Sequence, residues 1–222
     1  MASILLQTLG WTVFLGALIL WPAGTLHYPG AWAFMALFLF GGGAILFWLG
    51  RYSPGLLRER MRSPIQREQK GWDKVFLTVL MAGFLLWLPL MGWEARRSGF
   101  HALPAAVEVL GGVLMALYMA GVWWTFRANA FAAPVVKIQQ GQTVIDTGPY
   151  AIVRHPMYAS ALLFFLGLPL LLGAPWGLLV SLLLTLGIAW RAVREEEVLR
   201  AKLPGYEAYA QRVRFRLVPG LW

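Results

Sequence analysis

Two clusters in this 222-residue chain hold side chains able to do chemistry. The first is Gly148-Pro149-Tyr150 followed by Arg154-His155-Pro156-Met157-Tyr158, and the second is Arg191, Arg194, Glu195, Glu196, Glu197 and Arg200. In the first, Gly and Pro fix a turn and Pro156 opens the helix that follows. Arg154 and His155 then sit just ahead of a helix N-terminus, a place suited to an anionic group such as a carboxylate. The bland reading has equal weight from the residues alone: Arg154 snorkels to headgroups and His155 caps the helix.

The second cluster reads either as a solvated helix or as the wall of a site. Glu196 and Arg200 stand at i, i+4, a pairing worth about 0.3–0.5 kcal/mol on an exposed helix. Successive helical residues point about 100° apart, so three adjacent glutamates cannot share one pocket. Leu199 lies on the face of Glu195 and Glu196, whereas Glu197 points away. If a pair faces inward, it is Glu195 and Glu196.

The elements that must position these clusters are set by an apolar composition: 59% hydrophobic, 13% charged, mean hydropathy +0.63. Apolar runs long enough for a hydrocarbon core of about 30 Å, which takes roughly 20 helical residues, make this an all-α, polytopic membrane protein. The first run, about 3–21, reads as a span ending at Pro22 and not as a cleaved signal peptide. A second covers about 31–50 and contains Gly41-Gly42-Gly43, read as close helix packing. A third covers about 74–93 and a fourth about 104–127, with Pro104 in its first turn and Glu108 close to its start, where a carboxylate is favoured structurally. Residues 157–172 and 176–190, around Gly173-Ala174-Pro175, form a helical hairpin, giving about six passes. The second arm continues in helical pattern to Pro204, so its last turns project into water.

The 51–72 segment is different: Arg51, Arg58, Arg60, Arg62, Arg67 and Lys70 stand against Glu59 and Glu68. Leu56, Leu57 and Met61 at helical spacing mark 55–61 as an interfacial amphipathic turn. It reads as a surface loop touching anionic headgroups, with a substrate gate as the alternative. With the N-terminus inside, 17 of the 19 basic residues fall on the cytosolic side and only Arg96 and Arg97 outside, a strong positive-inside bias. Both clusters and both termini are then cytosolic, and the net charge of +9 has an explanation without nucleic acid. The absence of cysteine excludes disulfides and thiolate chemistry, and His27, His101 and His155 lack metal-ligand spacing.

Taken together, the clusters resemble the isoprenylcysteine carboxyl methyltransferase and phospholipid methyltransferase superfamily of integral membrane enzymes. That family's pattern is a GPY turn, RHPxYxG, an apolar hairpin, an RxxxEExxL helix and a Tyr-rich tail. This chain supplies Gly148-Pro149-Tyr150, Arg154-His155-Pro156-Met157-Tyr158, Arg191 with Glu195, Glu196 and Leu199, then Tyr206 and Tyr209, so the likeness runs from about Thr147 to the end. It implies S-adenosylmethionine as methyl donor, with S-adenosylhomocysteine as product, bound on the cytosolic side. By position, Tyr150, His155, Tyr158, Glu195 and Glu196 would line the cofactor pocket and Tyr206 and Tyr209 would close it. Arg154 and Arg191 would orient a substrate carboxylate, and Glu195 or Glu196 would act as base for an amine acceptor. Two positions depart from the pattern: Ser160 stands where the family has glycine, and Pro204-Gly205 replaces an aromatic-Gly pair.

The expected division is a four-span region over 1–127 and a methyltransferase core over 128–222, in a plasma membrane, the inner membrane of a bacterium. The expected reaction is methyl transfer to a lipophilic acceptor, a carboxylate first and a phospholipid amine second. An NADPH-dependent sterol-type reductase is the enzymatic alternative. A scaffold or transporter is the non-enzymatic one, although transport would call for ionisable groups near the bilayer midplane.

Overall fold

The computed structural model describes residues 2–100 and 102–222; His101 lies outside them. The chain is helical, with no strand among the described residues. Its elements are α1 (Ala2–Ala23), α2 (Pro29–Ala36), a π-helical turn (Leu37–Gly42), α3 (Gly43–Tyr52), α4 (Pro54–Arg60), α5 (Gly71–Arg97), α6 (Ala105–Ala128), a 3-10 turn (Gly148–Ala151), α7 (Pro156–Leu171), α8 (Gly177–Lys202) and α9 (Tyr206–Arg212). Among the described residues, five stretches are long and apolar enough to cross a membrane: Ile4–Ala23, Pro29–Tyr52, Gly71–Arg97, Ala105–Ala128 and Gly177–Lys202. The sixth expected pass is α7, an apolar helix of 16 residues, about 24 Å long at 1.5 Å per residue.

Two local expectations change. α1 does not stop at Pro22 but carries it in its last turn. The helix is ended by Gly24 at φ +68°, whose N–H returns to the carbonyl of Leu20, a left-handed cap that a Cβ would strain. In the triple glycine only Gly41 makes a close approach, to Met119 of α6, while Gly42 faces open space. Gly41 and Gly42 are the last two residues of the π turn and Gly43 opens α3, so the glycines serve a change of winding as much as packing.

Lipid tails are as apolar as leucine, so helices in a bilayer associate by close fit and not by hydrophobic exclusion. The fit is tightest where small residues face each other. A Cβ on Gly111 of α6 would meet backbone atoms of Gly167 and Leu171 on α7, and one on Gly92 of α5 would meet the Ile19 carbonyl of α1. The α6–α7 contact crosses the 127/128 division expected from the sequence. Trp87, Phe34, Met91, Met115 and Leu168 fill the common core, while Leu5, Trp21, Val75, Leu110 and Leu183 face outward.

The hairpin tip is held from α5. Glu94 accepts hydrogen bonds from the N–H groups of Trp176 (2.7 Å) and Gly177 (3.2 Å), satisfying donors that α8 leaves free at its N-terminus. Tyr28 donates its hydroxyl hydrogen to the Leu172 carbonyl. At the other end of the bundle lie α4, the 129–147 connection, the projecting turns of α8, and α9.

Candidate active site

The C-terminal tail docks on the Arg-His corner by its backbone. The Arg154 N–H donates to the Phe215 carbonyl (2.9 Å) and the His155 N–H to the Arg216 carbonyl (3.0 Å). The 3-10 turn ahead of this corner begins at Gly148, φ +60°, packed against Ala128 and Trp124 of α6. Two short motifs and the tail therefore converge without regular secondary structure between them.

Glu196 is the electrostatic hub, 2% exposed. Its Oε1 stands 2.7 Å from Arg154 Nε, 3.3 Å from His155 Nε2 and 3.2 Å from Arg216 Nε, and Arg200 approaches Oε2 at 3.8 Å. Arg154 also donates through Nη1 to the carbonyls of Val213 (2.9 Å) and Arg214 (3.0 Å). This buried carboxylate offsets its desolvation through hydrogen bonds from Arg154 and a contact with His155, and through the nearby charges of Arg216 and Arg200. Arg154 thus spends its Nε and both Nη nitrogens inside the protein.

Glu195 faces a different way. It lines a cavity that, with its open mouth, encloses about 860 Å³, and its Oε2 accepts the Tyr158 hydroxyl hydrogen at 2.5 Å. The His155 ring stacks on Tyr158, centroids 5.3 Å apart and planes within 4°. The walls come from the 129–145 connection, Tyr150, the start of α7, Val198 and Leu199 of α8, Leu203 just past its end, and Tyr206 and Tyr209 of α9. Tyr209 donates to the Tyr150 carbonyl (2.9 Å), and Asn129 Nδ2 donates to the Tyr150 hydroxyl (2.9 Å). The Tyr206 hydroxyl oxygen is buried without a hydrogen-bond partner among the described residues.

These phenols are held neutral. Burial pushes Tyr150 up to about 12, with the Asn129 hydrogen bond pulling the other way and Glu195 adding to the rise. Burial likewise raises Tyr206, helped by Glu196 and Glu195, and raises Tyr209, helped by Tyr150. Tyr150, Tyr206 and Tyr209 therefore keep their O–H as a donor through the physiological range.

Arg191 does not meet Arg154. Its Nε stands 2.8 Å from Asp73 Oδ1 and its Nη2 donates to the Pro134 carbonyl at 2.9 Å, with the guanidinium over the Tyr158 ring. Asp73 is fully buried and also accepts from the Val136 N–H (2.9 Å) and Gln69 Nε2 (2.8 Å). The pair fastens α5, α8 and the 134–136 stretch of the cavity wall together.

Of the residues singled out in the sequence, Tyr150, His155, Tyr158, Glu195, Tyr206, Tyr209 and Arg154 line one cavity, whereas Glu196 and Arg191 are not among its lining residues. Adjacent glutamates on α8 both turn inward, with Glu195 on the cavity wall and Glu196 buried behind it. The guanidinium groups of Arg154 and Arg191, expected to orient a substrate carboxylate, donate to Glu196, Asp73 and main-chain carbonyls. Asp73, Asn129 and Arg216 escaped the sequence reading. Asp73 is a lone acid at the start of a span and gives only that faint signal; Asn129 and Arg216 give none.

Ser160 has a partner in space. A Cβ on Gly121 of α6 would lie 2.3 Å from the Ser160 Oγ, and that hydroxyl donates to the Pro156 carbonyl at 2.9 Å. The missing Cβ has moved to the facing helix, and the serine fills its notch.

A phospholipid methyltransferase family model matches residues 107–204, from the first turns of α6 to the residue after α8 and its cap. Over 163 residues the chain is 31% identical to the cobalt-zinc-cadmium resistance protein CzcN of Cupriavidus metallidurans, an alignment covering 72% of this chain and 68% of that protein.

Proposed function

The chain belongs to the phospholipid methyltransferase family of membrane methyltransferases, and on that premise we propose that its cavity receives S-adenosylmethionine and serves methyl transfer to a lipophilic carboxylate. The observation that carries this reading is the wall itself: Glu195 with Tyr158, and the buried, unpartnered hydroxyl of Tyr206, around one cavity. The residues present fit the donor. Glu195 suits an ammonium or sugar hydroxyl, the Tyr206 O–H has a bond to give, and Val144, Val198, Leu199 and Leu203 suit a purine face. When bound, S-adenosylmethionine supplies a methyl group activated by its sulfonium.

The protein's own contribution is placement and exclusion of water. Arg154, held by Glu196, pins the tail over the corner, and α9 closes the cavity beside Tyr150. A carboxylate acceptor needs no base, only alignment and desolvation. An amine acceptor would need a proton removed, and Glu195 is the wall carboxylate placed for it. The positive-inside bias puts the cavity on the cytosolic side, with the acceptor entering from the membrane.

Calorimetric titration of the detergent-solubilised chain tests the reading: S-adenosylhomocysteine binds and NADPH does not. Binding of NADPH in place of S-adenosylhomocysteine would return the chain to a reductase. Labelled S-adenosylmethionine incubated with membranes then identifies the acceptor by where the label goes.

A further inference from the structure

Arg60, the last residue of α4, is a cation beside the cavity with no acid to face. Its Nη1 donates to the Ala132 carbonyl at 3.0 Å and lies 3.7 Å from Met157 Sδ, and its guanidinium stands 4.5 Å over the Phe126 ring. Ala132 and Met157 both line the cavity, and Arg60 stands against them just outside its lining residues. Arg154 faces Glu196, Arg191 faces Asp73 and Lys137 faces Glu59. Arg60 has no carboxylate within ion-pair distance among the described residues. The other guanidinium acting on it, that of Arg191, carries a charge of the same sign.

A half-buried guanidinium with only neutral partners carries an uncompensated charge, because a carbonyl, a thioether and an aromatic face do not replace a counter-ion. Its position is also fixed in depth. Leu56 and Leu57 of α4 are buried against Ile45, Leu49 and Val122, which seats the helix at the end of the spans, where lipid headgroups lie. From Tyr118 a line of partly buried rings leads into the bundle: Tyr118 to Phe164 at 5.1 Å and Phe164 to Phe84 at 5.9 Å.

Resting on the methyl-transfer reading of the cavity, we propose that Arg60 receives the carboxylate of the methyl acceptor, so that the acceptor is an anionic amphiphile whose tail lies along Tyr118, Phe164 and Phe84. A carboxylate oxygen forms the new bond to the methyl carbon while the carbon–sulfur bond breaks and its electron pair stays on sulfur. An anion and a sulfonium become a neutral ester and a thioether, with no proton or redox partner required. Methylation erases the charge that Arg60 recognises, so the ester is released where the acid was held.

The test uses the full chain in neutral detergent, with oleate and methyl oleate as probes and intrinsic tryptophan fluorescence as readout, at a pH that keeps oleate ionised. Oleate binds about tenfold more tightly than methyl oleate, the scale of a charge-assisted hydrogen bond. Arg60→Gln removes that preference and Arg60→Lys keeps part of it, while both variants bind S-adenosylhomocysteine as the wild type does. An oleate preference unchanged in Arg60→Gln overturns the proposal. So does displacement of oleate by dioleoyl phosphatidylglycerol as readily as by oleate itself, which would make this a bilayer-lipid site. Failure of the wild type to bind S-adenosylhomocysteine, with the Arg60-dependent preference intact, would instead remove the methyl-transfer reading and leave the carboxylate site standing.

Discussion

Ser160 of α7 occupies the space that a side chain on Gly121 of α6 would need: a Cβ built on Gly121 lies 2.3 Å from Ser160 Oγ and 3.2 Å from its Cβ. The two residues form one small-residue contact between helices whose close approach sets where α7 begins, and α7 begins with the Arg-His corner. Gly121→Ala should destabilise the protein by about 1–3 kcal/mol, the usual scale of overpacking. Adding Ser160→Gly should restore most of it. The check is thermal unfolding of the single and double variants in detergent; a double variant no more stable than Gly121→Ala would deny the contact.

The Asp73–Arg191 pair makes a second, separable prediction. Asp73→Asn leaves Arg191 buried beside a neutral amide, a change expected to cost about 3–5 kcal/mol where a buried pair is broken on one side. Because Asp73 also accepts from the Val136 N–H, the damage should be local to the cavity wall. Hydrogen exchange measured by mass spectrometry should accelerate over 134–138 before it does in α6. Uniform acceleration across the helices would assign the pair a global role instead.

Much of this architecture was legible because its determinants are local. An apolar run of about 20 residues fixes a span wherever it falls, and the 100° advance per residue turns Glu197 away while Glu195 and Glu196 share the inward side. What could not be read is which of those two meets the cavity. That is decided by Arg154, Arg216 and His155, which reach Glu196 from a corner and a tail distant in sequence. Asp73 meets Arg191 across 118 positions, and Glu94 caps α8 across 82. Neither leaves a periodic trace. Arg60 was visible only as one base among six in the 51–72 segment, and its isolation from acids appears only when the 129–147 connection folds beside it.

Alkaline titration should expose the phenols of the site. The Tyr150 pKa is raised to about 12, above the ordinary value near 10, so the neutral form is favoured in the folded state. Its contribution to stability is therefore complete below about pH 10 and is lost as pH rises toward about 12. Thermal stability of the wild type should fall through that window, and Tyr150→Phe should fall less steeply. Equal slopes would show that the phenol is as easily ionised folded as unfolded.

Adjacent glutamates should give opposite phenotypes. Glu196 is buried behind the wall with Arg154 and Arg216 on its Oε1, so Glu196→Gln strands two guanidinium groups and releases the tail. It should lower thermal stability by about 3 kcal/mol or more, and any loss of S-adenosylhomocysteine binding should follow from that loosening. Glu195 lies on the cavity wall, its side chain 25% exposed, with Tyr158 as hydrogen-bond partner. Glu195→Gln keeps the shape, and the buried Arg191 guanidinium, which feels the Glu195 charge, keeps Asp73 as its ion-pair partner, so stability should change by less than about 1 kcal/mol. Its effect should fall on the ligand instead: about ten- to hundredfold weaker S-adenosylhomocysteine binding, the loss of a charge-assisted hydrogen bond. Calorimetry and thermal unfolding on the same two proteins separate the roles. Were Glu195→Gln to bind normally while Glu196→Gln lost binding at full stability, Glu196 would be the ligand and the cavity described here would be the wrong one.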